Sequence, residues 1–190
     1  MSLSFGSARH DTAAAEINKA LEKVGNMIVF AAASNAGKNK LRTFPATSSR
    51  VIGIHAMSGL GEVWPNNPTT TGEYDNFGTL GLGIKLWWKC DNVYKEEYKN
   101  GTSYATPVAA GIAANWLDWL QSVANDSGCD LTEMERTRWS SADGIRSIFT
   151  RVMSEEHGGL RYVAPWHLFD LDKDLTDAHV VGRLKATRGL

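Results

Sequence analysis

The segment from Asn100 to Gly111 restricts the possible folds of this chain more than any other stretch, because it joins a glycine-led turn to a run of small apolar residues. It reads Asn-Gly-Thr-Ser-Tyr-Ala-Thr-Pro-Val-Ala-Ala-Gly, and small residues continue to Ala114. Such a run favours a helix that packs closely at the centre of a domain. Pro107 is compatible with the first turn of that helix, where few N–H groups have acceptors. The pattern predicts a buried helix with Ser103 at its N-terminus.

The hydroxyl of Ser103 is the first candidate for chemistry in this sequence. At a helix N-terminus it meets backbone N–H groups without intrahelical acceptors and the positive end of the helix dipole. That environment suits a nucleophile whose reaction generates an oxyanion. A serine that caps an ordinary core helix produces the same local pattern, so both interpretations stay open on these residues alone.

Length and composition bound the remaining possibilities. The chain has 190 residues, 43% of them hydrophobic, and a formal net charge of −1. These values favour one domain with a real core and give no indication of a nucleic-acid partner. No apolar run approaches the roughly 18 residues of a membrane span, so we expect no membrane partner. Cys90 and Cys129 suggest neither a disulfide framework nor a metal site, so we expect no metal, no cofactor and an intracellular, cytoplasmic location.

Strand and helix patterns alternate in the first third of the chain. A helix is predicted from a cap at Asp11 or Thr12 to Gly25, which fits a helix C-terminus. It lies between predicted strands at residues 1–5 and 27–32, and a further strand is predicted at 51–55. Strand–helix–strand order indicates a parallel pair, so the predicted fold is α/β, a parallel sheet with helices on both faces.

The rest of the chain gives coarser predictions. The Ser103 helix is expected to end near Leu120, and a second amphipathic helix is expected over 142–153. Trp87, Trp88, Trp116 and Trp119 are interpreted as core or groove residues. The remaining stretches are predicted as a surface loop (57–78), short strands (80–86), an exposed loop (87–99), a polar connection (121–141), an apolar segment docked on the body (162–169) and an irregular charged tail (170–190).

Asn35 is the second candidate for chemistry. It follows the predicted strand at 27–32, and ligands of α/β sheets bind at the carboxyl ends of strands. Its carboxamide offers two N–H donors to a developing negative charge. An asparagine in a left-handed turn position is the alternative that these residues alone leave open.

Taken together, these motifs resemble subtilisin-like serine proteases. Residues 101–111 match the family's nucleophile motif, Gly-Thr-Ser-x-Ala-x-Pro followed by a helix of small residues. The run from Phe30 to Gly37 resembles its Val-Ala-Ala-Ala-Gly-Asn-x-Gly segment. Further matches lie at residues 4–6, 44–54 and 76–83, although the family's Ala-Pro-Gly is absent from the last. With the Pro-Trp-x-Leu-Phe ending at 165–169, the combination looks most like intracellular fungal members of the family.

The resemblance implies roles for individual residues. Ser103 corresponds to the nucleophile and Asn35 to the side-chain donor of the oxyanion hole. Three residues match the strand that pairs with the substrate backbone, and three match the wall of the pocket for the substrate residue before the cut; they are Ser4, Phe5 and Gly6, and Ala32, Ala33 and Ser34. Ser34 stands where the family usually has glycine. The implied substrate is a peptide or protein.

The family's Asp and His precede these motifs along the chain. In this sequence His10 and His55 lack the family's His-Gly-Thr-like context, and the other histidines follow Ser103. The resemblance thus implies an N-terminally truncated domain over residues 1–169, followed by the charged tail. Its expected partner is the missing half of the catalytic domain, without which the chain is expected to be inactive. The alternative is a degenerate, non-catalytic protease module used for peptide binding or protein interaction.

Overall fold

A parallel sheet positions every predicted site residue. The computed structural model describes residues 1–7, 12–72, 75–125, 128–168 and 176–187. Its eight strands are β1 (Ser2–Leu3), β2 (Val29–Ala32), β3 (Val51–Met57), β4 (Phe77–Leu80), β5 (Ile84–Cys90), β6 (Val93–Lys99), β7 (Ser154–His157) and β8 (Leu160–Val163). Six of them form one sheet in the order β1-β2-β3-β4-β8-β7, in which β7 is antiparallel to β8 and the other pairs are parallel.

The central strands β2 and β3 are buried on both faces of the sheet, and successive side chains along them point to opposite sides. Phe30, Ile52 and Ile54 face one cluster of apolar side chains, whereas Val29 and Val51 face another. Strands covered on both sides are expected to read as continuous apolar runs, as these do. The predicted α/β class with a parallel sheet is confirmed.

Within the described ranges, five α-helices flank the sheet: α1 (Thr12–Lys23), α2 (Thr102–Val123), α3 (Glu133–Trp139), α4 (Ala142–Arg151) and α5 (Asp177–Ala186). Helix α1 packs on the face of Val29 and Val51, and α2, α4 and α5 pack on the face of Phe30. Gly25 follows α1 with a φ of 60°, the left-handed conformation that often ends a helix. None of the helices in the described ranges is both long and apolar enough to cross a membrane.

Three of the coarser predictions are wrong. Residues 121–141 include α3, whose N-cap Thr132 and Glu135 form a reciprocal capping box. Residues 177–186, predicted as part of an irregular tail, form α5, which buries Val180 and Leu184 in the core. The predicted boundary between 169 and 170 lies outside the described residues.

The third error concerns residues 87–99, which belong to the two-stranded antiparallel sheet β5–β6 rather than to a loop. Trp87 and Trp88, predicted to be packed, are 67% and 50% exposed. By contrast, Trp116 is buried and donates its indole N–H to the Trp139 carbonyl at 3.1 Å. Trp116 of α2 therefore belongs to the core and the half-buried Trp119 packs against it, whereas the tryptophans of β5 do neither.

Smaller differences affect element ends. Strand β1 has two residues rather than five, β3 continues to Met57, and 57–78 is otherwise largely loop. Helix α2 runs to Val123, so Pro107 is its sixth residue rather than part of its first turn. Because proline has no N–H, Pro107 leaves the carbonyl of Ser103, four residues earlier, without its helical hydrogen-bond donor.

Candidate active site

Ser103 is the second residue of α2, as the sequence predicts. The turn before it depends on Gly101, whose φ of 154° is a conformation that other residues rarely adopt. The Gly101 N–H donates to the Gly81 carbonyl at 2.8 Å, and the Gly101 carbonyl accepts from the Tyr104 N–H at 3.1 Å. Because Ser103 lies in the first turn, its own N–H is among those with no acceptor within the helix.

Ser4 and Ser103 contact each other through reciprocal hydrogen bonds. The residue four positions after Ser103 is Pro107, which has no N–H, so the Ser103 carbonyl cannot accept the usual helical bond. The Ser4 hydroxyl takes that place and donates to the Ser103 carbonyl at 2.9 Å. In return the Ser103 hydroxyl donates to the Ser4 carbonyl at 3.4 Å. The segment after β1 is thereby joined to the turn that carries Ser103.

Residues 4–6, predicted to pair with a substrate backbone, continue from the outermost strand of the sheet. Ser4, Phe5 and Gly6 are exposed, and the Phe5 side chain is 50% accessible. The segment is then held at Ser7, which pairs with Phe44 in an antiparallel bridge. An exposed extended segment beside Ser103 can receive another chain in β-fashion.

The Asn35 carboxamide lies at the start of α2. Its Oδ1 accepts two hydrogen bonds from Thr102, one from the backbone N–H at 3.0 Å and one from the hydroxyl at 2.8 Å. Thr102 is buried, and its carbonyl accepts from the Thr106 hydroxyl at 2.7 Å, so the anchor is itself fixed. With the oxygen engaged, the Nδ2 group keeps its two N–H donors for a ligand.

Sequence reasoning missed this role of Thr102. The signal that could have revealed it is the threonine between glycine and serine in the nucleophile motif. A hydroxyl and an N–H on one residue can hold both lone pairs of a carboxamide oxygen. The structure thus brings Ser103 and Asn35 together, and Thr102 sets the orientation of the amide.

The three residues before Asn35 differ in accessibility. Ala32 and Ala33 are buried, and the Ala33 N–H donates to the Ile54 carbonyl at 2.9 Å. Ser34 is half-buried and has a φ of 138°, in the region that favours glycine. The serine that replaces the family's usual glycine therefore keeps a backbone conformation suited to glycine, at an energetic cost.

The described histidines lie away from the Ser103 hydroxyl, whose acceptor is the Ser4 carbonyl. His55 is buried in β3, and its Nδ1 lies 3.2 Å from the Phe77 carbonyl. Burial, and secondly the charge of Arg42, lower the pKa of His55 to about 3, so the ring is neutral at physiological pH. His157 and His167 contact Glu155, and His179 contacts Thr176. His10 is outside the described residues.

A sizeable cavity of about 420 Å³ lies elsewhere, where β3 begins, at the opposite end of the strands from Asn35. Arg146 lines it and donates to the Asp75 carboxylate at 2.7 Å and to the Ser49 carbonyl at 2.7 Å. These contacts hold the surrounding loops together. They also pair the positive charge of Arg146 with the Asp75 carboxylate within the protein. Across the described ranges, no three His, Cys, Asp or Glu side chains are grouped in a way that could hold a metal ion.

Comparison with known proteins relates this arrangement to proteases. No protein-family model matches the chain. Over 91 residues it is 30% identical to the subtilisin-like protease het-Q2 of Podospora anserina, a match that covers 47% of this chain and 25% of that protease. The chain thus matches only about a quarter of that relative's length.

Two solved structures are similar in fold. A variant of the protease domain of PatA superposes with a TM-score of 0.61 at 20% identity, over 90% of this chain and 58% of that one. The prenylagaramide maturation protease PagA superposes with a TM-score of 0.49 at 21% identity, over 71% of this chain and 55% of that one. The fold of the chain is that of subtilisin-like proteases.

Proposed function

We propose that this chain, which is similar in sequence and in fold to subtilisin-like proteases, is the nucleophile-bearing part of a serine endopeptidase. Its substrate is a peptide or protein, and Ser103 and Asn35 carry the chemistry. No cofactor enters the reaction that we propose. The observation that carries the proposal is the Asn35 carboxamide, held by Thr102 at the same helix N-terminus as Ser103.

The first step is attack of the Ser103 Oγ on the carbonyl carbon of the scissile peptide bond. The C=O electron pair moves onto oxygen, and the oxyanion is stabilised by the Asn35 Nδ2 and the Ser103 backbone N–H. Collapse of this intermediate breaks the C–N bond as the base passes the Ser103 proton to the leaving nitrogen, so that a neutral amine departs and an acyl ester is left on Ser103. Water then hydrolyses the ester and restores the hydroxyl.

The Ser103 proton requires a base within about 3 Å of the Oγ in the reacting complex. The described histidines are engaged elsewhere, and His55 is buried and held in its neutral form. We propose that a complementary polypeptide segment supplies the histidine and its orienting carboxylate. This chain then supplies the nucleophile and the donors that stabilise the oxyanion, and its partner supplies the groups that transfer the proton.

One observation favours a second candidate, a non-catalytic peptide-binding module. The Ser103 hydroxyl donates to the Ser4 carbonyl. In the proposed peptidase, that carbonyl would instead accept a hydrogen bond from the substrate backbone. A chain in which this contact persisted would bind extended peptides without cleaving them. Both candidates use the exposed segment of Ser4, Phe5 and Gly6, so they differ in turnover rather than in ligand class.

We also propose an intracellular, cytoplasmic location. Support comes from Cys90 and Cys129, neither of which is in a disulfide. Cys90 is exposed, and an exposed free thiol suits a reducing compartment. Fractionation of the source cells, with a non-reducing gel for oxidised forms, tests the location.

The test of function joins the chain to a source of the missing base. The 190-residue chain is fused behind the part of the Podospora anserina protease that precedes the matched residues. Labelling by a fluorescent fluorophosphonate and cleavage of a quenched peptide library are followed. We expect stoichiometric labelling that Ser103→Ala abolishes. Asn35→Ala should lower turnover by about 100- to 1000-fold, the range measured for the corresponding residue of subtilisin itself.

Controls separate chemistry from folding. The fusion must melt cooperatively, and Ser140→Ala, an exposed serine outside the site, should label like the parent. The chain alone should be labelled slowly, because an oxyanion hole without a base retains only a small part of the rate enhancement. A folded fusion that labels no faster than its Ser103→Ala variant refutes the peptidase and favours the binding module, which is then checked by peptide titration.

A further inference from the structure

The hairpin β5–β6 precedes the Ser103 helix and forms a two-stranded sheet of its own. Its seven cross-strand pairs run from Ile84–Lys99 at the base to Cys90–Val93 at the tip. Because side chains alternate between faces along each strand, the hairpin has two distinct faces. One of them, here called the outer face, consists of Lys85, Trp87, Lys89, Tyr94, Glu96 and Tyr98.

Accessibility distinguishes the two faces. All half-buried residues of the hairpin lie on the inner face, and they are Ile84, Leu86, Glu97 and Lys99. Every residue of the outer face is exposed, and its aromatic side chains, Trp87, Tyr94 and Tyr98, are 67%, 63% and 65% accessible. The base of the inner face therefore rests on the protein, and the outer face presents three large aromatic rings to solvent.

Such a hairpin needs a stable cover. A two-stranded sheet is marginally stable in water unless it packs on another element, and here only the base of the inner face packs on the protein. Strands β5 and β6 also pair with no other strand in the described parts of the chain. Adjacent exposed aromatic rings are also typical of interfaces. A substrate leaves after each turnover, so it cannot supply a lasting cover. A stable protein partner can.

The outer face is complementary to itself. Each of its cross-strand pairs combines one aromatic and one charged residue: Lys85–Tyr98, Trp87–Glu96 and Lys89–Tyr94. A two-fold axis along the hairpin stacks β5 of one copy over β6 of the other. Each lysine then faces a tyrosine ring of the second copy, a favourable cation–π geometry. Each Trp87 indole N–H likewise faces a Glu96 carboxylate, which is paired with Lys85 of its own copy at 2.8 Å and can accept a further hydrogen bond.

We propose that the outer face is a dimerisation surface whose occupant is the outer face of a second copy of this chain, with the two hairpins parallel. An aromatic side chain can bury about 150–250 Å², so three rings that are about two-thirds exposed supply roughly 300–500 Å² per copy. With the lysine stems included, the two copies together bury about 1,000 Å² of accessible surface, which is the lower limit of a specific interface. The expected dimer is accordingly weak and isologous.

Sedimentation velocity of the 190-residue chain over about 1–200 µM, at physiological salt, is the test. We expect a monomer–dimer equilibrium with a Kd in the micromolar range. Trp87→Ala and Tyr98→Ala should each raise the Kd at least tenfold, because buried aromatic anchors dominate such contacts. The matched control is Trp88→Ala, which removes the neighbouring tryptophan from the inner face and should change the Kd less than twofold.

A second measurement tests the parallel arrangement. In a Cys129→Ser background, a bis-maleimide spanning about 20 Å should link the exposed Cys90 thiols of two copies, because packed sheets are about 10 Å apart and both tips lie at the same end. Trp87→Ala should abolish the link. If that variant unfolds, Lys89→Glu provides the same test without removing a ring. A folded chain that stays monomeric to 200 µM, or a dimer lost with Trp88→Ala but not with Trp87→Ala, overturns the proposal.

Discussion

Replacing His55 should remove a large part of the acid sensitivity of folding. This ring is fully buried in β3, and its Nδ1 contacts the Phe77 carbonyl at 3.2 Å. Because a carbonyl only accepts, we infer that Nδ1 carries the hydrogen and Nε2 the lone pair. The Nε2 atom has no hydrogen-bond partner among the described residues, so nothing there compensates a positive charge.

The sign of the effect follows from the lowered pKa. Folding brings the pKa from its ordinary 6.5 to about 3, so between these values the unfolded chain binds more protons than the folded one. Stability therefore falls as the pH drops through 6.5 and stops changing, for this group, below about 3. At pH 5 the loss is about 2 kcal/mol relative to pH 7.5, and over the whole interval it approaches 5 kcal/mol.

The assay is urea unfolding at pH 7.5 and pH 5 for the parent chain and for His55→Leu. The variant loses about 1 kcal/mol at both pH values with the contact to Phe77, but it has no proton to gain. Its stability difference between the two pH values should therefore be smaller than the parent's by about 2 kcal/mol. The exposed Ser140→Ala, which removes no titrating group, serves as control and should keep the parent's pH dependence. Equal pH dependence in the parent and His55→Leu would refute the reasoning.

Three further predictions concern the site and its frame. Ser34→Gly should raise the free energy of unfolding by about 1 kcal/mol, because glycine adopts the φ of 138° without strain. A lower free energy of unfolding for the variant, measured by urea unfolding, would show that Ser34 is not strained. Gly81→Ala should lower the free energy of unfolding by about 1–3 kcal/mol, because a Cβ there lies 2.8 Å from the Gly101 oxygen. Gly111→Ala, in open space on α2, should raise the free energy of unfolding by about 0.5–1 kcal/mol. Thr102→Val should slow turnover of the fusion about fivefold and leave its substrate affinity unchanged, as it removes one of two donors to Asn35.

The sheet and the nucleophile helix could be predicted because their signals are local. Strand β2 reads as an unbroken apolar run, and α2 as a run of small residues after a glycine turn. The first pattern indicates a strand buried on both faces, and the second indicates a helix that packs closely on its neighbours, which leaves few alternatives. The rule that ligands of α/β sheets bind at the carboxyl ends of strands placed Asn35 at the site edge of the sheet, whereas its association with Ser103 came from the resemblance to subtilisin-like proteases.

Other features depend on contacts between distant segments and could not be read in this way. The charged stretch around α5 has too few apolar residues to suggest a helix that packs on the core. Nevertheless, Val180 and Leu184 of this helix are buried in the hydrophobic core. The hairpin alternates poorly because Trp87 and Trp88 are adjacent, so its strands resemble a loop in sequence. The tether from Thr102 to Asn35 joins residues 67 positions apart, and no local pattern encodes it.

In the peptidase that we propose, the contacts around Ser103 divide the catalytic task between this chain and its partner. Pro107 frees the Ser103 carbonyl for Ser4, and Thr102 fixes the Asn35 amide, so the nucleophile turn and the oxyanion donors are already oriented by bonds within this chain. Donors that are oriented before substrate arrives cost no reorganisation during the reaction. The polypeptide that we propose to complete the site would therefore have to supply only the base and its carboxylate. It follows that such a partner should change the rate of proton transfer far more than the geometry of the oxyanion hole.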